Sequence, residues 1–396
     1  MKKYFDVFLT FLKLGLTSFG GPVAHIAYFR KEFVEQKKWL SEHQFAQLLA
    51  LCQFIPGPAS SQLGFCIGLL RAGGLGAILA FIAFTMPSVI LLILFVANLP
   101  LLDGNLGKAA IHGLKLVACV VVTDAVLGMS KNLCSDIPRK AIALVALVIL
   151  LIATSASIHL VVVLLAAVVG GTLLHDIPVI KVQDQLSISY GRKVGVVFLS
   201  LFTLLLIFIP YFASGNADVI SVASVFYQAG ALVFGGGHVV LPLLQESVVA
   251  SGWVTSEQFL SGYGASQAIP GPMFAFSAYL GAVMSEAGNI LPMALTALIF
   301  MFLPGFLLVL GVLPLWRSAS HNPIAGKAIA GVNAAVVGLL AAALYDPVFT
   351  SSITSIVDAI IALIGFVLLR LGRFSALIVV AWCVVASLVA NMLMLS

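Results

Sequence analysis

The chain has 396 residues, 61% of them hydrophobic and 9% charged, with a formal net charge of +5 and a mean hydropathy of +1.15. Such a composition excludes a water-soluble globule and makes the chain an integral membrane protein. No basic cluster suits nucleic acid, and five cysteines scattered through apolar runs without a Cys-x-x-Cys pair imply neither disulfide nor metal site.

In chain order, Met1-Lys2-Lys3 and the apolar run after it mimic a secretory signal, but Lys13 interrupts the run and no exportable domain follows, so the segment is read as retained. Segment 5–29 is broken at Phe19-Gly20-Gly21 and segment 44–70 at Pro56-Gly57-Pro58. With about 20 helical residues needed per crossing, full spans are predicted at 76–99 and 109–128. The apolar block 141–174 dips in polarity at Thr154-Ser155-Ala156-Ser157, which predicts two short helices in a hairpin. A span at 194–212 follows. Segments 220–243 and 258–285 are then broken at Phe234-Gly235-Gly236 and Pro270-Gly271-Pro272, and spans at 289–314, 328–345, 353–369 and 374–395 complete the chain.

The breaks repeat. Phe19-Gly20-Gly21, Trp39 and Gln53-x-x-Pro56-Gly57-Pro58 recur about 215 residues later as Phe234-Gly235-Gly236, Trp253 and Gln267-x-x-Pro270-Gly271-Pro272. Positive charge near membrane ends stays cytoplasmic, and Arg30, Lys31, Lys37 and Lys38 place the first loop inside. Arg71 places the end of 44–70 inside too, so that segment is a re-entrant hairpin. The partner loop 245–257 has no Lys or Arg and carries Glu246 and Glu257, so the second copy is inserted the other way up. The predicted fold is therefore an all-α polytopic protein of two inverted-topology repeats with Gly/Pro-broken re-entrant hairpins. Residues 1–175 form the first repeat, 176–215 a cytoplasmic loop and linking helix, and 216–396 the second. Segment 5–29 either crosses once or turns back at Gly20-Gly21, and Lys2 and Lys3 favour the second.

Irregular backbone at membrane depth survives where it is buried in protein or lines a cavity. Proline favours the first helical position, with glycine supplying the turn before it, and Pro22, Pro58 and Pro272 are read in that role. Each break would then aim a helix N-terminus, with free amides and about half a positive charge, at the interior, which makes an anion site. Ser60, Ser61 and Gln62 add donors in the first copy, where the second has Met273, Phe274 and Ala275. Lys115 supplies further positive charge if it faces the cavity, and Asn333 falls at the same depth in the second copy. Asp124, His25 and His238 are candidates for proton coupling, against the plainer reading of each as a packed polar residue. Trp39 and Trp253 read as interfacial anchors.

This twin pattern resembles the chromate ion transporter family in its long, two-domain form, over nearly the whole chain. The resemblance implies export of chromate, with sulfate as its structural mimic, from a multi-pass position in the bacterial cytoplasmic membrane, without a cofactor. It carries the motif positions Gly20, Gly21, Gln53, Pro56, Gly57, Pro58, Gly235, Gly236, Gln267, Pro270, Gly271 and Pro272 into the binding site. One departure is Pro22, which becomes Gly237 in the second copy. Partners are the oxyanion and the lipid bilayer, with room for a homodimer. An anion channel using the same broken-helix filter is the alternative, and no nucleophile or metal constellation favours an enzyme.

Overall fold

The computed structural model describes residues 1–102, 104–152, 156–174, 190–234, 237–285, 289–316, 322–372 and 374–395, which contain helices and no strand. The first half runs α1 (Lys2–Thr17), α2 (Gly21–Arg30) with a π-helical extension (Lys31–Gln36), α3 (Glu42–Phe54), α4 (Ala59–Asn98), α5 (Asn105–Leu133), α6 (Ile137–Ile152) and α7 (Ala156–Leu173). Helix α8 (Arg192–Tyr211) connects it to the second half. There follow α9 (Val219–Leu232), α10 (Val240–Val248), α11 (Ser256–Ala268), α12 (Phe276–Met284), α13 (Ile290–Val312), α14 (Pro323–Ala343), α15 (Ile356–Arg370) and α16 (Ala376–Leu395). Among the described residues six helical stretches are long and apolar enough to cross a membrane, as an all-α polytopic membrane protein requires.

The first of these stretches, Ala59–Leu102, is not one straight rod. Ala72 and Gly73 leave helical geometry, Gly73 with φ +70°, and a Cβ on Gly68 would sit 2.5 Å from the carbonyl oxygen of Gly76. Eight residues of continuous helix would hold those positions about 12 Å apart, so α4 doubles back into two antiparallel arms. The second half repeats the arrangement, with a Cβ on Gly281 of α12 falling 2.4 Å from the Met293 carbonyl oxygen of α13.

The first glycine pair also closes a hairpin. Asp6 at the start of α1 pairs with Lys37 at 2.7 Å and with Arg71 at 3.8 Å, so both ends of segment 5–29 and the α4 reversal share one end of the molecule. Gly20 and Gly21, at φ +100° and +73°, make the turn. In the second half the Trp253 indole N–H donates to the Gly215 carbonyl oxygen at 3.3 Å, tying the approach to α9 to the loop after α10.

Equivalent helices run in opposite directions. His112 and Asp358 approach to 2.8 Å, and Asp124 and Arg370 to 2.7 Å, each pair 246 residues apart in sequence, so α5 and α15 are parallel. The chain leaves α14 through the turn before Ser355, the N-cap of α15. The end of α14 therefore lies where α5 begins. Packing is also exchanged between halves: α6 and α7 of the first clasp α14 of the second, while α15 and α16 of the second clasp α5 of the first. Small residues let these backbones approach closely. A Cβ on Gly113 would lie 2.7 Å from Val384 Cα, and one on Gly331 would lie 2.8 Å from Gly170 Cα.

Candidate functional site

Four helix starts lie at the breaks: α2, the first arm of α4, and the 3-10 turns Gly237–Val239 and Met273–Ala275 that lead into α10 and α12. No side chain caps α2, α4, α10 or the Met273 turn. Ser41, Asp218, Thr255, Asn322 and Ser355 cap α3, α9, α11, α14 and α15, while α1, α5, α8 and α13 also start without a side-chain cap. The donors at the breaks are therefore left for another acceptor, as first-turn amides have no partner within their own helix.

The breaks of the two halves meet reciprocally. The Gly57 N–H donates to the Val233 carbonyl oxygen at 2.7 Å, and the Gly271 N–H to that of Ser18 at 2.9 Å. Each Pro-Gly-Pro turn thus binds the residue just before the other half's Phe-Gly-Gly break. A Cβ on Gly237 would lie 3.1 Å from Pro22 Cγ, so the two Phe-Gly-Gly breaks touch each other as well.

Prolines within the long helices support this contact. Pro87 in α4 and Pro304 in α13 occupy matching positions, and an internal proline frees a carbonyl one turn earlier. Gly15 of α1 and Gly230 of α9 lie against those frayed surfaces, where a Cβ would meet the carbonyl oxygens of Phe84 and Met301 at 2.6 and 2.2 Å. Just beyond the prolines, the Ser88 hydroxyl donates to the Pro270 carbonyl oxygen at 2.7 Å. The Gln62 amide donates to those of Pro56 and Gly305 at 2.8 and 3.1 Å. The matched pair Pro87 and Pro304 was readable in the sequence as a third interruption in the same register, and the sequence reading passed over it.

A family model described as chromate transporter matches residues 5–172 and 220–388. The chain belongs to the chromate transporter family. A probable chromate transport protein of Synechococcus elongatus is 30% identical over 84% of this chain and 81% of its own length. Chromate transport proteins of Pseudomonas aeruginosa and Cupriavidus metallidurans are 28% and 26% identical over 87% and 96% of this chain, and 80% and 91% of their own lengths. No solved structure matches. As a chromate transporter family member with these helices, the chain is a multi-pass protein of the bacterial cytoplasmic membrane.

In this transporter the side-chain chemistry around the junctions is unequal. Ser18 Oγ, His25 Nδ1, Ser61 Oγ, Gln62 Oε1 and Thr85 Oγ1 are buried without a hydrogen-bond partner among the described residues. Their second-half counterparts by repeat register are Val233, Val240, Ala275, Phe276 and Phe302, all apolar. Buried polar atoms without partners cost free energy, and here all five lie in one half, in the break segments and the adjoining arms of α4.

The candidates named from sequence divide clearly. Gly57, Gly271, Pro56, Pro58, Pro270 and Pro272 form the turns of the junctions, and Ser60 and Ser61 are buried in the first turn of α4. Pro58 and Pro272 sit one position earlier than read: each is an N-cap, with ψ of 86° and 129°, because its carbonyl accepts a helix's first bond while its own backbone stays outside helical geometry. Gly20 and Gly21 make the α1–α2 turn, while Gly235 and Gly236 lie outside the described residues. Gln53 is exposed on α3, and the Gln267 amide instead approaches Met273 Sδ at 3.4 Å.

Among the described residues Lys115, half-buried, forms no ion pair, and the buried Asn333 Oδ1 has no hydrogen-bond partner. His238 Nδ1 lies 2.6 Å from the Tyr263 hydroxyl. Lys13 pairs with Glu32 at 3.3 Å. Trp39 lies under the Lys37 and Arg71 side chains, at 5.4 and 4.8 Å from its ring centroid.

Asp124 is held by Arg370 at 2.7 Å, both side chains 35% exposed. An Arg370→Ala variant is expected to lose about 1 kcal/mol of stability, as an exposed pair gives little and a half-buried carboxylate left alone costs more. The charge swap Asp124→Arg with Arg370→Asp should restore it. Thermal melting in detergent reads both, and a swap no more stable than Arg370→Ala would show that the pair holds nothing.

A cavity of about 370 Å³ beside α10, lined by Leu150, Pro242, Gln245, Glu246, Leu339 and Asp346 among others, carries two carboxylates. It is unsuited to an anion.

Proposed function

We propose that this chain is a secondary transporter that exports chromate, or a related divalent oxyanion such as sulfate, across the cytoplasmic membrane. The anion binds near the midplane where the two inverted repeats join, held by the uncapped helix starts at the Phe-Gly-Gly and Pro-Gly-Pro breaks. The observation that carries this reading is the reciprocal pair of backbone bonds, Gly57 to Val233 and Gly271 to Ser18, which gathers those starts into one place. Aligned helix N-termini favour anions through free amides and about half a positive charge each. The names of the relatives support chromate as substrate.

Export needs no nucleotide. An inside-negative potential favours outward movement of anions by about 2.3 kcal/mol per charge per 100 mV. The burial of Ser60, Ser61, Gln62 and His25 supports a carrier that opens alternately over a pore that stays open. Opening toward either side would break the first or the second of the reciprocal bonds while keeping the other.

Inverted membrane vesicles test the reading. Labelled chromate should accumulate in vesicles holding the native chain and saturate with concentration, and it should fall to background in the double variant Gly57→Ala with Pro58→Ala. Lys115→Ala should weaken uptake by about tenfold if its charge reaches the anion, since about 1.4 kcal/mol separates each decade. Uptake unaffected by all three substitutions would overturn this site. Large unsaturating currents would favour a channel.

A further inference from the structure

His25 lies in the first turns of α2, immediately after the first glycine break, and its side chain is fully buried. Its Nε2 is 3.3 Å from the carbonyl oxygen of Ser18. A carbonyl oxygen only accepts, so Nε2 carries the hydrogen and, in the neutral ring, Nδ1 is a bare lone pair. That Nδ1 has no partner among the described residues, and the Ser18 hydroxyl has none either. The same Ser18 carbonyl oxygen receives the Gly271 N–H from the other half. The imidazole is therefore fastened to one of the two bonds that close the junction, with its second nitrogen spare.

The surroundings leave that nitrogen little competition. The facing arm of α4 presents the Phe84 ring edge-on at 5.3 Å, and its own charge, Arg71, is engaged with Asp6 at the far end. In the π-helical extension of α2, Glu32 is held by Lys13 of α1, and Glu35 by Arg30; Lys31 is exposed at the same end. The Pro270-Gly271-Pro272 turn has no titratable group, and near Gly237 the pair His238 and Tyr263 bond each other. Among the described residues the ring's one hydrogen-bond partner is the Ser18 carbonyl oxygen. In the second half the position is Val240, so only one junction has this chemistry.

An oxyanion reaching the α2 amides would bring its oxygen lone pairs against the lone pair of Nδ1, and acceptor against acceptor is repulsive. One proton between them removes the conflict, whether it resides on Nδ1 or on the anion. We propose that one proton, taken from water, enters this junction with each divalent oxyanion, His25 Nδ1 being the group that requires it, so that the transported unit carries one net negative charge. This rests on the reading that the junction is the anion site. Because the ring also shares the Ser18 carbonyl with Gly271, proton and anion arrive at a bond whose breaking opens the junction.

The test uses the full-length protein in detergent and weak buffer, with labelled chromate and labelled sulfate as separate probes. Sulfate has no affinity for protons near neutral pH, so any uptake with it belongs to the protein. About one proton should be taken up per anion bound at pH 7.5, and the anion's affinity should fall as pH rises. His25→Gln keeps a donor for the Ser18 carbonyl but has no titratable nitrogen. With sulfate, its proton uptake should drop to near zero and its affinity should become independent of pH.

Anion binding by the native protein without proton uptake would overturn the proposal, as would uptake unchanged in His25→Gln. Failure of the native protein to bind either anion would overturn the site reading and the proposal with it. Should His25→Gln not fold, native protein in liposomes decides: current integrated against chromate moved should give about one charge per anion with the proton and about two without it.

Discussion

Gly271→Ala should reduce transport by about tenfold or more, on the scale of about 1.4 kcal/mol per decade, and should lower stability as well. The residue has φ +98°, which costs a non-glycine residue about 1–2 kcal/mol. Its new Cβ would meet Ser88 Oγ at 2.2 Å and the carbonyl oxygens of Gly15 and Phe84 at 3.3 Å, adding about 1–3 kcal/mol of overpacking. Two causes can be separated. Ser88→Ala added to Gly271→Ala removes the hydroxyl and should recover the overpacking share of the melting-temperature loss, but not the backbone share. At Gly57, with φ +124°, the equivalent Cβ meets Gln62 Nε2 at 2.6 Å and Gly305 Cα at 3.1 Å. The nearest atom there is again a side chain, so Gln62→Ala added to Gly57→Ala should recover part of the loss, and less of it than at Gly271 because the Gly305 backbone at 3.1 Å cannot be trimmed. Melting curves and vesicle uptake measured on the native chain and these variants check this, and a fully active Gly271→Ala would dissociate the turn from transport.

The second large effect is a lock. Pro22 and Gly237 occupy equivalent positions and face each other, with a Cβ on Gly237 expected 3.1 Å from Pro22 Cγ. Pro22 Cγ is one bond from its Cβ, so the two β carbons lie no more than about 4.6 Å apart, close to the roughly 3.5–4.5 Å that a disulfide spans. In a background lacking the five native cysteines, all buried and free, Pro22→Cys with Gly237→Cys should crosslink on mild oxidation. Uptake should then stop, and return on reduction. Each single variant should be insensitive to oxidant. If the crosslink forms and transport continues unchanged, the two breaks do not move apart during the cycle.

Much of this architecture was legible because breaks are costly in a membrane and a duplicated break is conspicuous. Gly20-Gly21 and Pro56-Gly57-Pro58 could be seen as interruptions, and the basic loop with Arg30 and Lys38 against the acidic loop with Glu246 and Glu257 carried the orientation. The resemblance to chromate transporters rested on the same motifs. What remained hidden was pairing across the halves. Nothing in the sequence alone says that Gly57 bonds Val233 rather than a residue of its own half, because a backbone bond between elements 176 residues apart leaves no pattern in side chains. Gln53 illustrates the converse: its place in a repeated motif marked it for the site, but α3 turns it outward. Asp124 could be read either as a proton site or as a packed polar residue, and the choice stayed open because its partner, Arg370, lies 246 residues away. Where the two copies differ, as His25 against Val240, register alone exposed the difference, and the structure added which of the histidine's nitrogens is engaged.

The exchanged packing of α6 and α7 on α14, and of α15 and α16 on α5, bears on how the molecule is made. Neither half can finish its own interior before the other is synthesised, so the earlier portion must wait in the bilayer with some of its apolar seam facing lipid. A polypeptide severed between α7 and α8 should therefore yield fragments that are unstable when produced singly. Produced together, they should recover one another without any covalent link.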